Sequence, residues 1–207
     1  MRRFATLFRE LDASTATGDK LAALQRYLAA APAEDAAWAV WFLAGGKPRQ
    51  VVPGALLREA ACAAAGIDDW LFEACYQAVG DLAETIAHVL PAPAAASEAG
   101  LAHWVEQRVL PLRGLAPAEQ AQRLRVAWDE LDADGRFLFV KLIGGGFRVG
   151  VGRLLVQRAL AAHAGLEARV IAQRMMGWTD ARAAPSAMRF AQLVSCAAEP
   201  ALDAGQP

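Results

Sequence analysis

Cysteine is scarce in this sequence, and the few cysteines are scattered. The chain has three, Cys62, Cys75 and Cys196, so they cannot all pair, and no two have the close spacing of a metal-binding pair. This pattern is typical of reduced thiols and argues against a disulfide-stabilised secreted domain. The three histidines are equally dispersed. We therefore expect no metal site.

Long apolar runs and strand-forming residues are also lacking. No window of 18 residues is both apolar and uncharged, which excludes an obvious membrane span, and the basic start at Met1–Phe4 is not followed by the apolar segment of a signal peptide. Tyrosine occurs twice and Val/Ile runs are short, so little favours a sheet. The 56% hydrophobic content is rich in alanine, the best helix former. We expect an all-α, cytoplasmic monomer.

The spacing of apolar residues and capping signals predicts many helices. An apolar stripe near the N-terminus has the i, i+3, i+4, i+7 spacing of one helical face: Phe4, Leu7, Phe8 and Leu11. Asp81 with Glu84 three residues later has the spacing of a capping box and predicts a helix start. Continued along the chain, these patterns predict about ten to twelve helices.

The segment 91–100 is rich in Ala, Pro and Gly and has few side chains worth burying. We place a boundary there between two packed lobes of one domain that spans residues 1–196. The tail, residues 197–207, is expected to be flexible.

Large apolar residues are expected to lie mainly in the core. The six tryptophans fall mainly on apolar helical stripes, which favours packing over base stacking, although Trp178 stays open in a short turn after Gly177. A helix capped at Asp68 or Asp69 is expected to bury a face that includes Leu71, Cys75 and Val79.

Charge is distributed unevenly, although the net charge is only −1. Residues 136–189 contain nine basic residues and two acidic ones, Glu167 and Asp180, and carry +7, so the rest of the chain carries −8. Such an asymmetry indicates a polyanion partner for the second half, or else a solvated helical face.

The most unusual stretch is a turn with five glycines in nine residues, 144–152. Glycine is costly in backbone entropy, so a positive φ or close approach of a ligand should require it. The following helix would direct free N–H groups and its positive dipole end at the turn, which favours phosphate. The turn lacks the lysine and hydroxyl of a P-loop and the preceding strand of a dinucleotide site. The alternative is a tight interhelical turn with solvated arginines.

Phe137–Leu160, with the sequence FLFVKLIGGGFRVGVGRLLVQRAL, resembles the signature stretch of the N-terminal DNA-binding domain of ATP-dependent DNA ligases, most closely the bacterial ones. Other segments are similar in the same order, over roughly residues 1–196: Thr17–Lys20, Phe42–Arg49, Gly80–Glu84 and Arg174–Gly177.

The resemblance implies a helical domain that straddles the minor groove opposite a nick and contacts phosphates on both sides. It implies double-stranded DNA as partner, the ligase catalytic core in cis, and a place at the nucleoid in repair, replication or recombination. The residues expected to bind DNA are Gly144, Gly145, Gly146, Arg148, Gly150, Arg153, Arg158, Lys47 and Arg49.

The sequence departs from a whole ligase at the reacting lysine. A ligase forms lysyl-AMP at Lys-x-Asp-Gly, but Lys20, Lys47 and Lys141, the three lysines here, have other residues after them. We expect no catalytic residue and no cofactor in this chain, with ATP and Mg²⁺ belonging to a catalytic domain expected beyond Pro207. A helical protein-interaction module with a basic docking face is the alternative function.

Overall fold

The computed structural model describes residues 1–46, 50–93, 97–144, 147, 149–180 and 184–196. Within these ranges the chain forms twelve α-helices and no strand, which confirms the predicted all-α fold. A π-helical turn, Trp104–Val109, and a 3₁₀ turn, Leu110–Leu112, continue α7. The helices are α1 Arg2–Ala13, α2 Thr17–Ala30, α3 Ala33–Leu43, α4 Gly54–Ala65, α5 Asp69–Val79, α6 Leu82–Val89, α7 Leu101–His103, α8 Pro117–Asp129, α9 Ala133–Gly144, α10 Arg153–Ala164, α11 Ala168–Arg174 and α12 Ala187–Val194.

The core is built around α3. Every residue from Asp35 to Leu43 is buried, because α7, α10 and α12 pack around this helix. Asp35 is tolerated there because its carboxylate accepts a hydrogen bond from the Ala102 N–H at 2.8 Å, which satisfies a free donor at the start of α7. The predicted N-terminal stripe of α1 is fully buried against the same core.

The helices form two spatial groups. The first contains α1 to α3 with α10 to α12, and the second contains α4 to α6 with α8 and α9; α1 packs against α9 between the groups. Neither group is continuous in sequence, and one hydrophobic core contains residues from both. The division into lobes near residues 91–100 stays a prediction.

Helix α5 does not bury the face predicted for it. Phe72 is its buried residue, whereas Leu71 and Val79 are 37% and 38% exposed and Trp70 is 68% exposed. The prediction was wrong because apolar residues cover more than half of the circumference of α5, so periodicity cannot indicate which part meets α4 and α6. The other five tryptophans are buried, including Trp178, whose ring lies under the Arg189 guanidinium at 4.7 Å.

The predicted cap at Asp81 is present and is tied to α9. The carboxylate accepts a hydrogen bond from the Glu84 N–H at 3.0 Å and forms an ion pair with Lys141. Burial alone would raise the pKa of Asp81, but the hydrogen bonds from Lys141 and from backbone N–H groups outweigh it and hold the pKa below its ordinary value. Asp81 thus joins the start of α6 to the last turn of α9.

Asp81→Ala is expected to lower the free energy of unfolding by about 1–2 kcal/mol, whereas Asp81→Asn should cost under about 1 kcal/mol. Asn preserves the cap, so it isolates an ion pair that solvent partly screens. Because the pKa is lowered on folding, the ionic contribution is present above the unfolded pKa near 4 and is lost as pH falls through the folded value. Urea unfolding of both variants at pH 7 and pH 3 measures this. Equal costs for Ala and Asn at pH 7 would contradict a capping role.

No helix among the described residues is long and apolar enough to cross a membrane. In the same part of the chain, no group of three or more His, Cys, Asp or Glu side chains is arranged to hold a metal ion.

Candidate nucleic-acid interface

The glycine-rich turn connects α9 to α10, and two of its residues anchor it in the core. Phe147 packs against three rings of α1 and α3, with centroid distances of 5.6 Å to Phe4, 5.2 Å to Phe8 and 5.8 Å to Phe42. Val149 is 6% exposed. These apolar contacts anchor Phe147 and Val149 in the core, whereas Gly144, Gly150 and Gly152 are exposed.

Gly150 is the described glycine of this turn that needs a left-handed conformation. Its φ is +60°, and a Cβ placed there would lie 3.1 Å from the Lys20 Nζ. Gly144 ends α9 and Gly152 has an ordinary extended conformation at the start of α10. A positive φ therefore explains the glycine at position 150. Gly144 and Gly152 instead provide exposed backbone that no Cβ atom covers.

Helix α10 begins at the solvent side of the turn. Gly152 precedes it and is exposed, as are Arg153 and Leu154, and the first turn contains no acidic residue. The first N–H groups of a helix have no intrahelical acceptor, and the dipole makes this end positive. The start of α10 therefore has the geometry and the charge that favour an anion.

Two cations lie at this end of α10, and a third lies further along the helix. Lys20, from the first turn of α2, donates from Nζ to the Gly150 carbonyl at 3.1 Å and to the Val149 carbonyl at 3.4 Å. Arg153 and Arg158 lie on α10 and are exposed. No carboxylate of the described residues forms an ion pair with any of the three, so no described residue neutralises their charges.

The +7 segment does not form one continuous basic face. Arg136 is only 2% exposed and donates to the carbonyls of Trp128 at 2.8 Å, Pro91 at 2.6 Å and Leu90 at 3.3 Å. These carbonyls end α8 and α6, and burial lowers the pKa of the Arg136 guanidinium. The Arg136 guanidinium therefore stabilises the interior and is not accessible to a binding partner.

Other cations of the segment are also engaged. Lys141 pairs with Asp81, and Arg169 pairs with Glu167 at 2.6 Å. Arg174 donates to the carbonyls at the end of α12, at 2.7 Å to Ser195. Arg153 donates to the Met175 carbonyl at the end of α11 at 2.5 Å but stays exposed. Counting charge in the sequence thus overstates the surface charge.

The structure places Gly150 and Arg153 at the start of α10, Gly144 at the end of α9 and Arg158 further along α10. DNA binding by these residues stays a prediction. Five predicted DNA-binding residues lie outside the described residues: Lys47, Arg49, Gly145, Gly146 and Arg148.

Sequence reasoning missed Lys20. A lysine in the first turn of a helix opposes the helix dipole, so another contact should hold it there. That signal was available in the sequence, but its partners, two carbonyls about 130 residues away, were not.

A comparison with curated proteins found no match for this chain. A family model described as DNA ligase N terminus matches residues 1–161, which is more than three quarters of the 207 residues and reaches from α1 into α10. The chain belongs to the N-terminal domain family of ATP-dependent DNA ligases.

Proposed function

We propose that the chain binds duplex DNA without sequence preference, through phosphate contacts, as the non-catalytic N-terminal domain of a ligase that seals nicks. The observation that carries the proposal is the exposed start of α10 beside Gly150, with Lys20 and Arg153 next to it, Arg158 further along the helix and no acidic residue in the first turn. Backbone N–H groups, lysine and arginine directed at phosphates give affinity and register but read no bases. A nick-sealing enzyme needs binding of this kind.

Each part of the turn has a task in this proposal. Phe147 and Val149 anchor their own part of the turn in the core, which lowers the entropy cost of ordering that part on DNA. Gly150 and Gly152 have no Cβ atoms and permit the close approach of a phosphate. Arg158 supplies charge further along α10. The other predicted residues, Gly144, Gly145, Gly146, Arg148, Lys47 and Arg49, complete the proposed interface.

The residues of this chain do not fit the nucleotidyl-transfer chemistry of a whole ligase. Lys141 is paired with Asp81, Lys20 is bonded to two backbone carbonyls, and Lys47 precedes Pro-Arg-Gln in the sequence. None lies in a Lys-x-Asp-Gly context, so we derive no step through ATP or Mg²⁺. In the proposal, a catalytic core in cis supplies that chemistry during repair, replication or recombination.

Arg158→Ala and Arg148→Ala are each expected to weaken binding to any duplex, roughly eightfold at 0.1 M salt. Each should reduce the magnitude of the negative slope of log K against log salt by about 0.9, because one phosphate contact is lost. Fluorescence anisotropy with nicked duplexes of two unrelated sequences measures both quantities.

Arg125→Ala is the matched control for these variants. Arg125 is exposed on α8, which packs against α4, and no ion pair joins it to another described residue. The control should leave the slope unchanged. A loss of slope in Arg125→Ala equal to that in Arg158→Ala would show diffuse electrostatic attraction and would count against a defined interface.

A helical protein-interaction module with a basic docking face is the second candidate function. Three large apolar side chains favour it, because they are exposed in the second half of the chain: Leu154 at 67%, Met176 at 75% and Met188 at 72%. If this candidate holds, heparin should displace labelled nicked duplex from the chain as effectively as unlabelled nicked duplex does, when the two competitors are compared at equal charge concentration.

A further inference from the structure

We propose that Lys20 is itself a phosphate-binding residue of this interface and also holds the Val149–Gly150 turn in its binding conformation. The proposal rests on the proposed DNA-binding function. It adds a residue from α2, about 130 positions away in sequence, to a site otherwise formed by the turn and α10.

The position of Lys20 follows from the packing of α2 against α10. That contact places the half-buried side chain of Lys20 beside the exposed Gly150, with Nζ at 3.1 Å from the Gly150 carbonyl oxygen and 3.4 Å from that of Val149. An ammonium group has three N–H donors. The two carbonyls take two of them, and one remains for a ligand.

The positive charge of Lys20 has an effect at this turn that a neutral hydrogen-bond donor would not have. The carbonyl oxygens of Val149 and Gly150 carry negative partial charge close to the start of α10, where a phosphate would bind. Unbalanced, they would oppose the attraction of the helix dipole for an anion. The ammonium of Lys20 donates to both oxygens and offsets their negative partial charge.

The charge of Lys20 is also available to a ligand. Its neighbour Asp19 directs its carboxylate to the Ser14 hydroxyl, which donates at 3.0 Å, and no described carboxylate forms an ion pair with Lys20. The lysine thus opposes the dipole of its own helix without an acidic partner among the described residues. A phosphate would supply the missing negative charge.

Three substitutions in the full chain separate charge from hydrogen bonding. Lys20→Arg retains both, Lys20→Gln retains a donor without charge, and Lys20→Met retains neither. Binding of fluorescein-labelled nicked duplex is measured by anisotropy between 50 and 300 mM KCl. We expect Lys20→Gln and Lys20→Met each to reduce the magnitude of the slope of log K against log salt by about 0.9, with roughly eightfold weaker binding at 0.1 M salt. Lys20→Arg should retain the wild-type slope.

A second readout tests the holding role. Amide hydrogen exchange at residues 149–152 should be faster in Lys20→Met than in the wild type and unchanged in Lys20→Arg, because the carbonyl contacts are lost only in the first. Arg26→Met is the matched control on the same helix. Arg26 is exposed and pairs with Glu10, so its loss should leave both the salt slope and this exchange unchanged.

The outcomes separate this proposal from the function on which it rests. If the wild-type chain does not bind duplex, the DNA-binding function fails. If the wild type binds and Lys20→Met retains the full slope, phosphate binding by Lys20 is refuted. If the magnitude of the salt slope falls equally in Lys20→Arg and Lys20→Met and the Tm is lower in both, Lys20 has a structural role only. That result would also overturn the proposal.

Discussion

Replacing Arg136 with methionine is expected to lower the free energy of unfolding by about 3–5 kcal/mol. The guanidinium donates to three carbonyls at the ends of α6 and α8, where helix dipoles are negative. Methionine fills similar space but removes the donor to the carbonyls of Leu90 and Pro91, and it leaves the Trp128 carbonyl with its backbone hydrogen bond from Leu131 alone. Equilibrium unfolding in urea, followed by circular dichroism at 222 nm, measures the loss.

Arg136→Lys is the control, because it retains the positive charge but lacks the several N–H donors of the planar guanidinium. It keeps a cation at the two helix ends but cannot reach all three carbonyls, so it should cost less than methionine and more than nothing, about 1–2 kcal/mol. A methionine variant as stable as the wild type would show that the buried guanidinium contributes nothing to stability. It would also show that the contacts of Arg136 had been misjudged.

Phe147→Ala is expected to cost about 2–3 kcal/mol of stability and to weaken DNA binding roughly tenfold without changing the salt slope. The ring is only partly buried, so the cost lies below that of a fully buried phenylalanine. Binding weakens because the turn, no longer packed against Phe4, Phe8 and Phe42, must be ordered when DNA binds. No charge is lost, so the number of released counterions should not change.

Phe147→Leu is the matched control, since it retains an apolar side chain of comparable volume and should cost less than about 1.5 kcal/mol. The pair is measured by urea unfolding and by anisotropy across the same salt range. A tenfold loss of affinity in Phe147→Ala with a reduced slope would mean that the substitution removes charge contacts, which the anchoring role of Phe147 does not allow.

Local helical signals were predictable from the sequence where one residue or one spacing decides the outcome. The stripe from Phe4 to Leu11 is buried as predicted, and Asp81 accepts the hydrogen bond that its spacing to Glu84 indicates. Both depend only on spacings within one or two helical turns, so a single sequence contains the needed information. The orientation of α5 was not predictable, because its apolar arc is too broad to select Phe72 over Leu71.

The charge of the second half was counted correctly, but its distribution could not be predicted. Arg136, Arg153 and Arg174 each donate to carbonyls that end another helix: α6 and α8, α11, and α12. Carbonyls at a helix end attract a cation, and so does a phosphate. Only the tertiary packing decides which of these acceptors an arginine contacts. Lys20 is the opposite case, since its sequence position gave no indication of a contact with the distant turn.

The dependence of binding on salt tests the central proposal most directly. Nicked duplexes of two unrelated sequences are titrated with the wild-type chain between 50 and 300 mM KCl, and log K is plotted against log salt. With three or four phosphate contacts from the turn, α2 and α10, we predict a slope of about −3 and affinities that agree between the two sequences. A slope near zero, or a strong preference for one sequence, would contradict binding through the phosphate backbone.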